Sequence, residues 1–106
     1  MLNQVVMVGR LVKDPELKES EGGKKYTSIT LAVPRSYKNM DGEYDTDFID
    51  VVLWDGIAEN AFEYCKKGDL IGVKGRIETG SYEQEEQKKY YTNIIAEKIT
   101  FLSSKK

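Results

Sequence analysis

The chain has 106 residues, is 40% hydrophobic and 32% charged, and carries a net charge of −2, which suits one soluble domain with its own core, and no apolar run in it approaches the ~20 residues of a membrane-spanning helix. It contains no histidine, which excludes Ser–His and Cys–His nucleophile pairs and histidine-containing zinc sites, and its single cysteine excludes an intrachain disulfide. The pI of about 5.2 argues only weakly against a nucleic-acid partner, because charges on the far side of a small domain are screened over ~8 Å.

The first predicted strand is "NQVVMVGRLV", Asn3 to Val12. Its centre, Val5 to Val8, is apolar on both faces, a pattern that needs a cover: the domain's own core or a second subunit. "DPE", Asp14 to Glu16, breaks the pattern, and "SEGGKK", Ser20 to Lys25, is a turn. "YTSITLAVP" is the second strand, with Ile29, Leu31 and Val33 on one face and Tyr26, Ser28, Thr30 and Ala32 on the other. Pro34 is expected to end it. A loop with Arg35, Tyr37 and Lys38 leads to a turn at Asp41 and Gly42. "DFIDVVLW", Asp47 to Trp54, is the third strand; Ile49, Val51 and Leu53 form its core stripe, and Phe48, Asp50, Val52 and Trp54 its wetter face.

"DGIAENAFEYCKKG", Asp55 to Gly68, reads as a short helix. Asp55 is its cap, Ile57, Ala61, Tyr64 and Cys65 its inner face, Lys66 and Lys67 its last turn, and Gly68 its stop. Cys65 reads as a packed small apolar residue rather than a reactive thiol. "DLIGVKGRIETGSY" is the fourth strand, with Ile71, Val73 and Ile77 inward and Lys74, Arg76 and Tyr82 outward. "EQEEQKK" is a charged hairpin tip. "YYTNIIAEKITFL" is the fifth strand, with a bulge expected near Glu97 and Lys98, where its phase breaks. Five strands with one short helix between strands 3 and 4 is the order of an all-β OB-fold, a five-stranded Greek-key barrel.

The only Trp and a Phe on the wetter face of the third strand raise two readings. One is packing against a helix, a loop or another subunit. The other is a platform for unpaired bases, worth ~1–3 kcal/mol per base. Tyr37, Phe48, Trp54 and Tyr82 fall near one surface of such a barrel, with Arg35, Lys38, Lys74 and Arg76 interleaved. Aromatic faces accept any base and cations track phosphates, so the combination favours stacking. Lys66 and Lys67 have a second explanation in the helix dipole. Arg10 either reaches a nucleic acid or makes a structural ion pair.

The stretches "LNQVVMVGRLVKDPEL", "ITLAV", "DFIDVVLWDGIAENAFEYCKKGDLIGVKGRI" and "TGSY" resemble the bacterial single-stranded DNA-binding proteins, from about Leu2 to Leu102. The resemblance implies an OB-fold DNA-binding domain over residues 1–102, followed by a short basic end at 103–106. It places base stacking on Tyr37, Phe48, Trp54 and Tyr82. Arg35, Lys38, Lys67, Lys74 and Arg76 are the expected phosphate partners, with Arg10 beside them. It further implies a cytoplasmic homotetramer that coats single strands during replication, recombination or repair, with no catalysis, metal or cofactor. Three of the four aromatic positions often carry Trp in this family, so stacking area is smaller at Tyr37, Phe48 and Tyr82. The hairpin entry, commonly basic in the family, reads Glu78, Gly80, Ser81 here. The sequence ends at "SSKK" without the family's acidic tail, so tail-mediated docking of other enzymes is not expected from this chain. Two rival functions are an OB-fold protein-interaction adaptor of a primosome-like assembly and an RNA-binding OB domain.

Overall fold

A computed structural model describes residues 1–104, so Lys105 and Lys106 of the expected basic end lie outside the described residues. The elements in chain order are β1 Val5–Leu11, β2 Lys18–Glu19, β3 Lys25–Lys38, β4 Tyr44–Trp54, α1 Asp55–Tyr64, β5 Leu70–Gln84 and β6 Gln87–Ser103. The five long strands follow the order β1-β5-β6-β4-β3. The ring closes where β3 meets β1, at Arg10–Ala32 and Leu11–Leu31. All pairings are antiparallel except β4–β6, which is parallel at Val51–Ile94 and Val52–Ile95. The helix joins β4 to β5 and packs against β3, β4 and β6. This is the expected all-β OB barrel, with the short β2 added at an edge.

The core follows from the period of two. Ile29, Leu31, Val51, Leu53, Ile71 and Val73 alternate with outward residues and are buried. Each such side chain stabilises the fold by ~1.5–3 kcal/mol. Ala58 and Ala61 bring α1 down onto them. Cys65 is buried beside the helix end, and its thiol pKa is raised, first by burial and then by the charge of Asp69. It stays protonated and inert, as expected of a packing residue. Thr27 occupies the same inner stripe, fully buried, and its hydroxyl has no hydrogen-bond partner among the described residues.

Closure has a steric condition at Gly9. A Cβ there would lie 2.8 Å from the Ala32 carbonyl oxygen and 2.9 Å from a Val33 methyl. Only glycine lets β1 approach β3 so closely.

Several local expectations change. Pro34 does not end its strand: β3 runs on to Lys38 beside β4, with a register shift between Pro34 and Lys38. β1 pairs with β3 only as far as Ala32; beyond it β3 has one open side, where a missing N–H costs no ladder bond. Arg35, Tyr37 and Lys38 therefore stand on a strand, not in a loop. The helix stops at Tyr64, and Trp54, still extended, holds the cap position without a side-chain cap bond. Asp55 is the first helical residue, at φ 52°, rather than the cap. Tyr64 is 65% exposed, and the inner face is completed by Ala58 instead.

Lys66 and Lys67 follow the helix, in a turn where Asp69 accepts the Lys66 N–H at 2.8 Å and Asp14 accepts the Lys67 N–H at 2.7 Å. They are not residues of a last helical turn. Ile77, expected inside, is half-exposed because β5 has by then left the barrel with β6 as a projecting hairpin. That hairpin turns on Glu85 and Glu86, both at positive φ, so the strands reach further into "EQEEQKK" than expected. The bulge falls where expected: Lys74 opposes Lys98 while Gly75 opposes Ala96, leaving Glu97 as the extra residue. The projecting β3–β4 and β5–β6 ends give a radius of gyration of 15.4 Å, against ~13 Å for a compact domain of this length.

Candidate nucleic-acid interface

Residues directly opposed in a sheet share a face, so the register maps the outer surface row by row. Lys18, Tyr26 and Trp54 form one row across β2, β3 and β4. Ser28, Val52, Ile95 and Arg76 form the next, across β3, β4, β6 and β5. Thr30 opposes Asp50. Arg10, Ala32 and Phe48 form the last row, across β1, β3 and β4. The face is outward because the alternate residues of each strand, such as Val51, Leu53 and Ile29, are buried.

Phe48 is 67% exposed and Trp54 37%. Trp54 is the less open because Tyr26 packs beside it, ring centroids 5.2 Å apart and tilted by 38°. The indole is thus partly covered by Tyr26 and otherwise accessible. Tyr82 continues the outward set of β5 after Lys74, Arg76, Glu78 and Gly80. Its neighbour is Tyr91, at 6.5 Å between centroids. The hydroxyl end of the Tyr91 ring lies against Gly80, whose missing Cβ leaves the room: a Cβ there would meet the phenol. Register therefore brings Phe48, Trp54, Arg76 and Tyr82 onto one continuous outer face, with Arg10 at its β1 border and Lys74 one step along β5, opposite Val6 of β1 and Lys98 of β6.

The remaining residues stand apart. Arg35 faces Asp47, which accepts from Nη2 at 3.0 Å and from Nε at 3.2 Å, with Asp45 at 3.9 Å. Those carboxylates have the parity of Ile49, so Arg35 lies on the opposite face of the β3–β4 hairpin from Phe48. Its pKa is raised by the hydrogen bond and charge of Asp47, with a further contribution from nearby Tyr37. Tyr37 is exposed beside it. Lys38 sits 5.8 Å from the Tyr44 ring centre near the tip of the same hairpin. Lys67 is in the turn after α1. Arg76 donates to Glu78 at 2.7 Å, so this face pairs its own cation with the neighbouring acid. Arg10 makes no ion pair among the described residues: its Nη1 donates to the Gly68 carbonyl at 2.9 Å, which leaves the other guanidinium N–H groups available.

Sequence reasoning passed over Tyr26, Tyr44, Tyr90 and Tyr91. Tyr26 carried a usable signal, the same parity as Ser28 and Thr30 on a half-buried strand. Tyr91 carried none, because its ring position depends on register with Gly80. Among the described residues, no group of three or more His, Cys, Asp or Glu side chains is arranged to hold a metal ion.

The "Single-strand binding protein family" matches residues 2–102. The chain is 47% identical over 106 residues to "Single-stranded DNA-binding protein B" of Bacillus subtilis, covering 99% of this chain and 94% of that one. It is 49% identical to "Single-stranded DNA-binding protein 3" of Listeria innocua, spanning 66% of that protein. "Single-stranded DNA-binding protein 1" of Staphylococcus aureus (strain Mu50) is 45% identical, with 68% of its length spanned. A barrel closed in this order, an outward aromatic face, and a family match across nearly the whole length converge on one assignment: the chain belongs to the Single-strand binding protein family.

Proposed function

We propose that this chain binds and coats single-stranded DNA with little sequence preference, protecting it during replication, recombination or repair. It is a binding protein, not an enzyme. The observation that carries the reading is Phe48 and Trp54 exposed on the outer face of β4, with Arg76 and Tyr82 on the same surface. Bases stack on Phe48, Trp54 and Tyr82, and on Tyr37 where the strand passes the β3–β4 hairpin. Phosphates are met by Arg10, Lys38, Lys67, Lys74 and, once drawn off Glu78 and Asp47, by Arg76 and Arg35. In this reading residues 1–102 are the binding domain, and the basic Lys105 and Lys106 lie after it. The lone buried cysteine suits the reducing cytoplasm.

Self-association supports the same work. Val6 is 70% exposed and Val8 half-exposed on the outer face of β1, apolar where solvent would favour polar residues. A homotetramer paired through β1 covers them and sets several aromatic faces on one surface, raising effective concentration along a wrapped strand.

The test follows Trp54 emission during titration with oligo-dT. Stacking predicts strong quenching, and Trp54→Ala should cost ~1–3 kcal/mol of binding. Unchanged emission at saturating DNA contradicts the stacking role. An affinity unchanged per folded molecule, with stability alone reduced, assigns Trp54 to packing and favours the adaptor reading.

A further inference from the structure

Phe48 and Trp54 are six residues apart on one face of β4, hence ~20 Å. One stacked nucleotide advances ~3.4 Å, so several nucleotides must cross the surface between the two rings. That surface is not flat. Beside it lies a groove of about 240 Å³ lined by Lys13, Glu16, Lys18, Tyr26, Ser28, Thr30 and Asp50. Its floor is the outward column of β3, its inner wall Asp50 of β4, and its outer wall the connection that leads into β2. Lys13 and Lys18 have no carboxylate partner within ion-pair distance among the described residues.

The feature that singles out this groove is Asp50. A carboxylate on a surface that follows a polyanion is electrostatically adverse, yet this one is held in place: Thr30 Oγ1 donates to Asp50 Oδ1 at 2.6 Å. The bond fixes the carboxylate and leaves Oδ2 as an acceptor. An ionised carboxylate only accepts. Thymine turns carbonyl oxygens towards it on both sides of N3–H and meets lone pairs. Cytosine presents the N4 amino group, the donor that acidic side chains accept from.

We propose that this groove holds one nucleotide of the bound strand and reads an exocyclic amino group on its base through Asp50, favouring cytosine over thymine. Cytosine is the smallest base with such a group. Lys13 and Lys18 take the adjoining phosphates, and Tyr26, already against Trp54, flanks the base. The inference rests on the single-strand-binding reading and adds a modest bias to stacking that otherwise accepts any base.

The experiment measures affinity for oligo-dC and oligo-dT of one length, at one salt concentration, for the wild type, Asp50→Ala and Thr30→Val. The quantity read is the dC-to-dT affinity ratio, relative to wild type, which cancels any difference between the free strands. We expect it to fall about fivefold in Asp50→Ala, the low end for one base contact, and to fall in Thr30→Val, which keeps the net charge but frees the carboxylate. Both positions are on the outer face and not in the buried core, so the variants should fold. A ratio within twofold of wild type in both variants, with Asp50→Ala tightening both oligomers alike, overturns the inference and leaves Asp50 as a mere repulsion of phosphate. Failure of the wild type to bind either oligomer overturns the single-strand-binding reading itself, and this one with it.

Discussion

Thr27 is buried among Ile29, Leu31 and Leu53 with an unpartnered hydroxyl. Burying an uncompensated hydroxyl costs ~1–3 kcal/mol. Thr27→Val keeps the shape and removes the cost, so thermal or urea unfolding should report a gain of roughly 1 kcal/mol. A loss of stability would mean that the hydroxyl has a partner in solution. Residue-level readings that depended only on parity were legible: Ile49, Val51 and Leu53 inward, Phe48 and Trp54 outward. Readings that depended on what lies across the sheet were not. The engagement of Arg35 was one of these: nothing in its own neighbourhood announces Asp47, twelve residues on and paired only through the hairpin register. Tyr26 needed β4 opposite it before its contact with Trp54 could be seen.

At the scale of elements, strands were found by alternation and lost at their ends. β3 continues through Pro34 because its open side forgives a missing donor, and β5 and β6 extend towards a two-residue tip because Glu85 and Glu86 adopt positive φ. The helix begins one residue earlier than the expected cap at Asp55 allows: Trp54, still in the strand ladder opposite Tyr26, takes the cap position and Asp55 is already helical. The Glu97 bulge was visible because the apolar period skips a step there. Gly9 gave no such signal: its necessity comes from the β1–β3 crossing. Gly9→Ala should cost ~1–3 kcal/mol, as overpacking does, because the blocking atom is a backbone carbonyl oxygen. An equilibrium unfolding midpoint equal to wild type would show that the crossing can open without penalty.

For the whole molecule, the order of elements was enough to identify the barrel, and the two-sided apolar β1 called for a cover, either the domain's own core or a second subunit. The structure leaves Val6 and Val8 outside. Light scattering at roughly tens of micromolar should report an assembly, because interfaces of ordinary size survive that dilution, and Val6→Lys should shift it towards monomer. A wild-type monomer at that concentration contradicts the subunit pairing. The central claim is that stacking, more than phosphate contact, holds the strand. Arg35 and Arg76 are engaged by Asp47 and Glu78, whereas Arg10, Lys38, Lys67 and Lys74 have no carboxylate partner within ion-pair distance among the described residues. Single-strand binding loses ~0.7 in log–log salt slope per phosphate neutralised. Glu78→Lys adds one cation and releases Arg76, so it should steepen the slope by up to ~1.4. The most direct measurement is therefore oligo-dT affinity across salt concentrations, for the wild type and Glu78→Lys. With Lys13 and Lys18 counted beside these four cations, the account predicts a wild-type slope of about −4 or shallower per subunit, with appreciable binding left at high salt, and a steeper Glu78→Lys. A steep wild-type slope, or a Glu78→Lys slope equal to it, would contradict the account and move the phosphate path off this face.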